Sequence, residues 1–147
     1  MLPMRRLVLV FVVLLAAGCG GGGARLSKAD YAKKADAICK SYNLKLRAVS
    51  RPHSVKDLPG YVDRALPVAR KGNEELRGLK APKNEEKTAK EWLDQNNAVV
   101  AAMERLRDAA KKSDRAGIQA ALSEATAANR TANRLARRLA LHACAKG

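Results

Sequence analysis

The stretch S-D-R-A-G-I-Q-A-A-L-S-E-A-T-A-A-N-R-T-A-N-R-L-A-R-R-L, Ser113 to Leu139, decides the fold. Its apolar side chains recur at Ile118, Leu122, Ala125, Ala128, Ala132, Leu135 and Leu139. That spacing lays one stripe along a helix and does not suit the two-residue alternation of a strand. Ser113-Asp114 supplies an N-cap, because a short oxygen-bearing side chain there can accept from an otherwise unpaired backbone N–H of the first turn. An amphipathic helix of this kind must cover its apolar face with partners, and the upstream sequence provides three. Ala89, Trp92, Asn96, Val99, Met103, Leu106 and Ala110 form a third stripe, with Asn84 as the expected cap and Glu85-Glu86 suited to the positive helix end. Leu58, Val62, Ala65, Ala69, Gly72, Leu76 and Leu79 form the second, in which Pro67 should kink the helix or mark its start. The first runs from a Ser27 cap through Tyr31, Ala35, Ile38, Tyr42, Leu46 and Val49 to Arg51-Pro52, where proline pushes its predecessor out of the helical region. Aromatic residues make up only 3% of the chain, so helix formers prevail over strand formers. The expectation is all-α, and short links favour an antiparallel up-down-up-down four-helix bundle over residues 27–147.

Upstream of the bundle the character changes. Met1 to Arg6 is a short basic segment and Leu7 to Ala17 is an unbroken apolar run of 11 residues. Such a run is too short for a hydrocarbon core that needs about 20 residues, so residues 1–18 read as a signal peptide. Leu15 to Cys19, L-A-A-G-C, resembles the lipobox of bacterial lipoproteins, with Ala16 where leucine is usual. The resemblance implies lipidation of Cys19 and a membrane anchor on the outer face of the cell membrane. Ordinary cleavage near Ala16-Ala17-Gly18 is the alternative, and gives a secreted protein. Gly20 to Gly23 would then form a flexible tether within residues 19–26. Three cysteines are an odd number, and acylating Cys19 leaves Cys39 and Cys144 as a disulfide pair. The pair encloses about 105 residues, which the chain-entropy model values at about 4.7 kcal/mol. Cys39, however, lies roughly 16 Å inside its helix at about 1.5 Å per residue, so the bundle is expected to be staggered or its first helix to overhang.

Patterns that carry chemistry are sparse. Histidine occurs only as His53 and His142. Neither H-E-x-x-H nor a repeated Glu-x-x-His is present, and C-x-x-C, a nucleophile elbow and phosphate-binding glycine loops are missing as well. No catalytic residue, metal or cofactor is predicted, and the protein reads as non-enzymatic. Two other features remain. Asn96 and Asn97 lie about as far before the third turn as Asn129 lies after it, so a hairpin brings these amides to one level. There they form either a register-setting polar layer or the lining of a pocket.

The second feature is charge. Of 29 basic residues, Arg5 and Arg6 leave with the signal segment, so 27 remain against 14 acidic ones, a mature charge of +13. Arg130, Arg134, Arg137 and Arg138 line the last helix, while Lys33, Lys34, Lys40, Lys45 and Arg47 load the first. If those helices are neighbours, the charges can merge into a face for anionic lipids or acidic envelope polymers. The bland alternative is a solvated surface. Nucleic acid is not an expected partner, since no aromatics interleave with the basic residues.

The stretch S-K-A-D-Y-A-K-K-A-D-A-I-C-K, Ser27 to Lys40, and the ending L-A-L-H-A-C-A, Leu139 to Ala145, resemble a group of small uncharacterised secreted or lipid-anchored helical proteins of actinobacteria. In that group a cysteine after A-D-x-I-C is matched by one near the C-terminus, and a proline-marked turn, here Ala81-Pro82, divides the middle. The resemblance implies an exported bundle and carries no activity or site residues. Two functional expectations follow. One is a cell-envelope lipoprotein serving as a binding or structural module, with its basic face as a contact surface. The other is a small-molecule binding or sensing bundle with its site near Trp92, Asn96 and Asn129.

Overall fold

The computed structural model describes residues 23–146. The expected signal segment 1–18, Cys19, residues 20–22 of the tether and Gly147 lie outside the described residues. The chain is all-α, with α1 (Lys28–Arg47), α2 (Leu58–Arg77), α3 (Glu86–Lys111) and α4 (Arg115–Arg138). Single 3₁₀ turns at Val55–Asp57, Lys83–Glu85 and Cys144–Lys146 complete it. The helices pack as an antiparallel up-down-up-down four-helix bundle in which α3 and α4 form the most extensive contact, α2 lies on α3, and α1 lies on α2.

The expected caps at Ser27 and Asp114 are present. The Ser27 hydroxyl accepts from the Asp30 N–H at 3.1 Å and the Asp114 carboxylate accepts from the Gly117 N–H at 3.0 Å. Elsewhere the helix ends differ from expectation. α1 ends at Arg47, short of Pro52, because the Ala48 and Val49 N–H groups close its last turn on Leu44 and Leu46. Pro52 restricts only the residue before it. Asn84 is not a cap: Pro82 opens a 3₁₀ turn, closed by Glu85 N–H to Pro82 C=O at 2.9 Å, and α3 begins after it. α2 neither starts nor stops at Pro67 but runs through it from Leu58, with Pro59 in the first turn, where a missing N–H costs nothing. Pro67 lies on the exposed side, where solvent can serve the orphaned carbonyl.

The α4 stripe is buried as expected at Ile118, Ala128, Ala132, Leu135 and Leu139 and departs from expectation at two positions. Leu122 is 43% exposed and Ala125 half-buried, while Ala121 is buried. The reason is the closeness of the α3–α4 seam, built from Ala102, Ala109 and Ala110 on one side and Ala121, Ala128 and Ala132 on the other. A methyl fits that seam; a leucine would force the helices apart.

Both α3 and α4 stop in the same way. Ser113 (φ 55°) and Ala140 (φ 60°) adopt the left-handed conformation. Asp114 N–H then bonds Ala109 C=O, as Leu141 N–H bonds Ala136 C=O, at 2.9 and 2.8 Å. With Ser113 N–H on Ala110 and Ala140 N–H on Arg137, each end is a complete Schellman motif.

The second of these turns resolves the position of Cys39. The chain leaves α4 and lays its tail along the middle of α1, where Cys144 meets Cys39 as a disulfide with Cα atoms 5.1 Å apart. Asp36 holds the same tail: its carboxylate accepts from the N–H groups of His142, Ala143 and Cys144 at 3.0, 2.8 and 3.2 Å. At the other terminus, Leu26 N–H bonds Lys80 C=O and the Arg25 guanidinium bonds Ala81 C=O. Arg25 and Leu26, upstream of the Ser27 cap, are therefore part of the packed domain.

Two apolar cores result. One gathers Tyr31, Ala35, Leu76, Trp92, Leu135 and Leu141 around the junction of all four helices and the tail. The other gathers Val62, Leu66, Leu106 and Ile118 from α2, α3 and α4 alone.

Candidate functional site

Between the two cores the helices do not close completely. They leave a cleft of about 320 Å³, at the lower end of the roughly 300–1,000 Å³ typical of ligand pockets. Each helix contributes residues one turn apart. α1 supplies Ile38, Tyr42 and Leu46, α2 supplies Ala69, Gly72 and Asn73, and α3 supplies Trp92, Asn96, Val99 and Met103. α4 adds Asn129 and Asn133, and the Cys39–Cys144 bridge closes one end. No lysine, arginine, histidine, aspartate or glutamate lines it, in a chain of which 29% is charged.

The walls are held firmly. Trp92 is 2% exposed and belongs to the larger core. The Tyr42 ring lies over Gly72, where an added Cβ would stand only 3.0 Å from Tyr42 Cγ, so the absence of a side chain there is what lets α1 approach α2. The Tyr42 hydroxyl donates to Glu75 on α2. That bond, then burial and the nearby charges of Glu75 and Glu74, pushes its pKa up to about 12. The Lys45 ammonium sits 4.2 Å from the ring centroid on the outer side.

The asparagines divide into two kinds. Asn97 does not face Asn129 as the hairpin level suggested. Its carbonyl accepts from the Asn73 amide at 3.2 Å, joining α3 to α2 instead. The physical reason is helical phase: two adjacent residues point about 100° apart, so Asn96 and Asn97 cannot both face α4. Asn96 does face the cleft with Asn129, and its side chain makes no hydrogen bond to any described residue. Asn43, Asn73 and Asn133 also line this band and were not anticipated from sequence. Each directly follows a stripe residue, Tyr42, Gly72 or Ala132, and nothing in the pattern of period alone distinguishes an inward polar residue from an outward one.

The expected basic contact residues Lys33, Lys34, Lys40, Arg130, Arg134, Arg137 and Arg138 are all exposed. None pairs with a described carboxylate, and from Ala125 to Lys146 the chain has no acidic residue. α1 meets α4 chiefly through the tail, which packs on both. Among the described residues no helix is long and apolar enough to cross a membrane, and no three His, Cys, Asp or Glu side chains gather as metal ligands. No family model, curated protein or solved structure matches this chain.

Proposed function

We propose that the chain is a non-enzymatic binding protein of the cell envelope, exported and anchored through Cys19, that takes a small molecule into the cleft between its helices. The observation that carries this reading is the cleft between the two cores, with no charged side chain among its described lining residues and with Asn96, which bonds no described residue, on its wall. Its lining joins the apolar faces of Trp92, Tyr42 and Met103 to a few uncharged amides, the usual make-up of a small-molecule pocket. Export and acylation rest on the L-A-A-G-C segment and on the oxidised pairing expected of the two remaining cysteines.

Native mass spectrometry of the protein purified from the cell envelope tests both halves. The expected spectrum shows a diacylated mature chain beginning at Cys19, plus a second population heavier by a noncovalent mass that disappears on denaturation. A chain that never carries added mass, and whose melting temperature no metabolite extract raises, would remove the ligand reading. A chain with Met1 retained and three free thiols would remove export.

A second reading has its own observation: seven exposed basic residues without carboxylate partners. Each is worth about 1 kcal/mol beside an anionic surface. The basic face would then hold the domain against lipid headgroups or acidic polymers. Sedimentation with phosphatidylglycerol vesicles should show binding in low salt that is lost in high salt. No binding in low salt removes this contact.

A further inference from the structure

The chemistry of the cleft wall narrows what can occupy it. Among the described residues of this net-basic chain, none that lines this space is charged, and the nearest carboxylate the hydrogen bonds show, Glu75, is engaged by the Tyr42 hydroxyl. A charged ligand entering it would lose its hydration and find no counter-ion, a penalty that far exceeds what neutral amides return. A purely apolar ligand fits little better, because it would strip water from amides. Asn96 in particular has no protein group to fall back on. An asparagine side chain offers a donor and an acceptor side by side, the complement of another amide, of a carbonyl beside an N–H, or of a hydroxyl. Tyr42 and Trp92 supply flat apolar faces, and Val99 and Met103 supply aliphatic ones.

We infer that the cleft binds an uncharged, fragment-sized molecule whose apolar body lies against Trp92, Tyr42 and Met103 and whose amide-like or hydroxyl edge is read by Asn96. This rests on the cleft being a ligand site, as proposed above. Asn96 is the specificity-determining residue, because Asn73 already bonds Asn97 and the tyrosine hydroxyl is committed to Glu75.

Calorimetric titration of the intact oxidised protein with three probes of one shape tests this: naphthalene carrying a carboxamide, a carboxylate or an aminomethyl cation. High salt is used to suppress adsorption of the carboxylate to the basic surface. The carboxamide is expected to bind at one site, at least about tenfold tighter than either ion, a difference of about 1.4 kcal/mol. Asn96→Leu removes the amide without breaking a hydrogen bond to any described residue. It should lower carboxamide affinity roughly five- to tenfold and leave the melting temperature close to that of the parent. Val99→Phe, which fills the space, should abolish binding; partitioning into lipid or detergent is common to all variants and cancels. Preference for either ion, abolished by Val99→Phe, would overturn the neutral-ligand inference while leaving the cleft a binding site. Insensitivity of carboxamide binding to Asn96→Leu would overturn the role of Asn96. Failure of all three probes, in a protein whose melting temperature shows it folded, would overturn both this inference and the ligand reading beneath it.

Discussion

The two ends of the bundle are built on different principles. At one end, four helices and the tail converge on Trp92, Tyr31, Leu139 and Leu141, and the chain adds a disulfide, three N–H bonds to Asp36 and the docked Arg25-Leu26 arm. At the other end α2, α3 and α4 pack around Val62, Leu66, Leu106 and Ile118, and α1 contributes no buried side chain. There Leu44 stays 67% exposed. One end is clamped covalently, and the other is held by apolar burial with exposed ion pairs such as Arg107–Asp63 and Arg105–Glu124. The clamp lies where both ends of the domain come together, so it stops the tail and α1 from fraying away from the larger core. It also sets the spread of the helices across the cleft, since the Cys39–Cys144 bridge forms part of the cleft wall.

The sharpest way to break this comparison is to cut the bridge. The double substitution Cys39→Ala and Cys144→Ala should cost about 4 to 5 kcal/mol in urea unfolding, the chain-entropy value for a loop of about 105 residues. It should also raise hydrogen exchange along the tail and α1 before it does so in α3. If exchange rises first at the three-helix end, the clamp is misplaced. Asp36→Ala should cost about 2 to 3 kcal/mol, since hydrogen bonds to a charged group contribute about 1.5–3 kcal/mol and three backbone donors lose their acceptor together. Its effect should shrink when the disulfide is also absent, because both hold the same tail. Strict additivity of the two losses would mean that they act on separate elements.

Alkaline pH probes the clamped end selectively. Burial raises the Tyr31 hydroxyl to about 12, and the hydrogen bond to Glu75, followed by burial, raises Tyr42 to about 12. A phenol whose folded pKa lies above its unfolded value stabilises the fold fully below about pH 10. That contribution is lost as pH rises towards 12, because the unfolded chain gives up the proton first. Stability should therefore decline between pH 10 and 12, and Tyr31→Phe should flatten the Tyr31 part of that slope. An absorbance titration in which the Tyr31 phenolate appears near pH 10 in the folded protein would contradict its burial.

Sequence reading recovered the parts that rest on period and covalent arithmetic. The four stripes, the caps at Ser27 and Asp114 and the partnership of Cys39 with Cys144 all follow from local spacing or from counting thiols. What it missed depends on three-dimensional closeness. Leu122 belongs to the stripe by period, yet it stays 43% exposed while its neighbour Ala121 is buried, and which of the two turns inward depends on the helix it faces. Nothing in the spacing marks Asp36, one turn before Cys39, because its role needs backbone N–H groups more than a hundred residues away. Asn96 was placed near the right level, while Asn97 was given the wrong neighbour, because helical phase had not been carried across to α2.

The smallest expected effect compares the two ends under one chemistry. Ser113 and Ala140 close matching Schellman motifs at opposite ends of α4, each with positive φ where a side chain is strained. Glycine at either place should relieve that strain, less the greater entropy it gives the unfolded chain, for a net gain of about 0.5 to 1 kcal/mol. The two positions differ in what surrounds them. Ser113 joins α3 to α4 in a free-standing hairpin turn, whereas Ala140 is followed directly by buried Leu141 and the tail that Asp36 and Cys39 already hold. Where the surroundings over-determine the backbone, the folded state keeps one shape and gains the full relief of strain. Where they do not, a looser residue also lets the turn sample other shapes. Ala140→Gly should therefore give the larger increase in urea midpoint, and that advantage should vanish when Cys39 and Cys144 are replaced. An equal gain at both turns with the bridge intact would mean that the tail is held no more tightly than the hairpin.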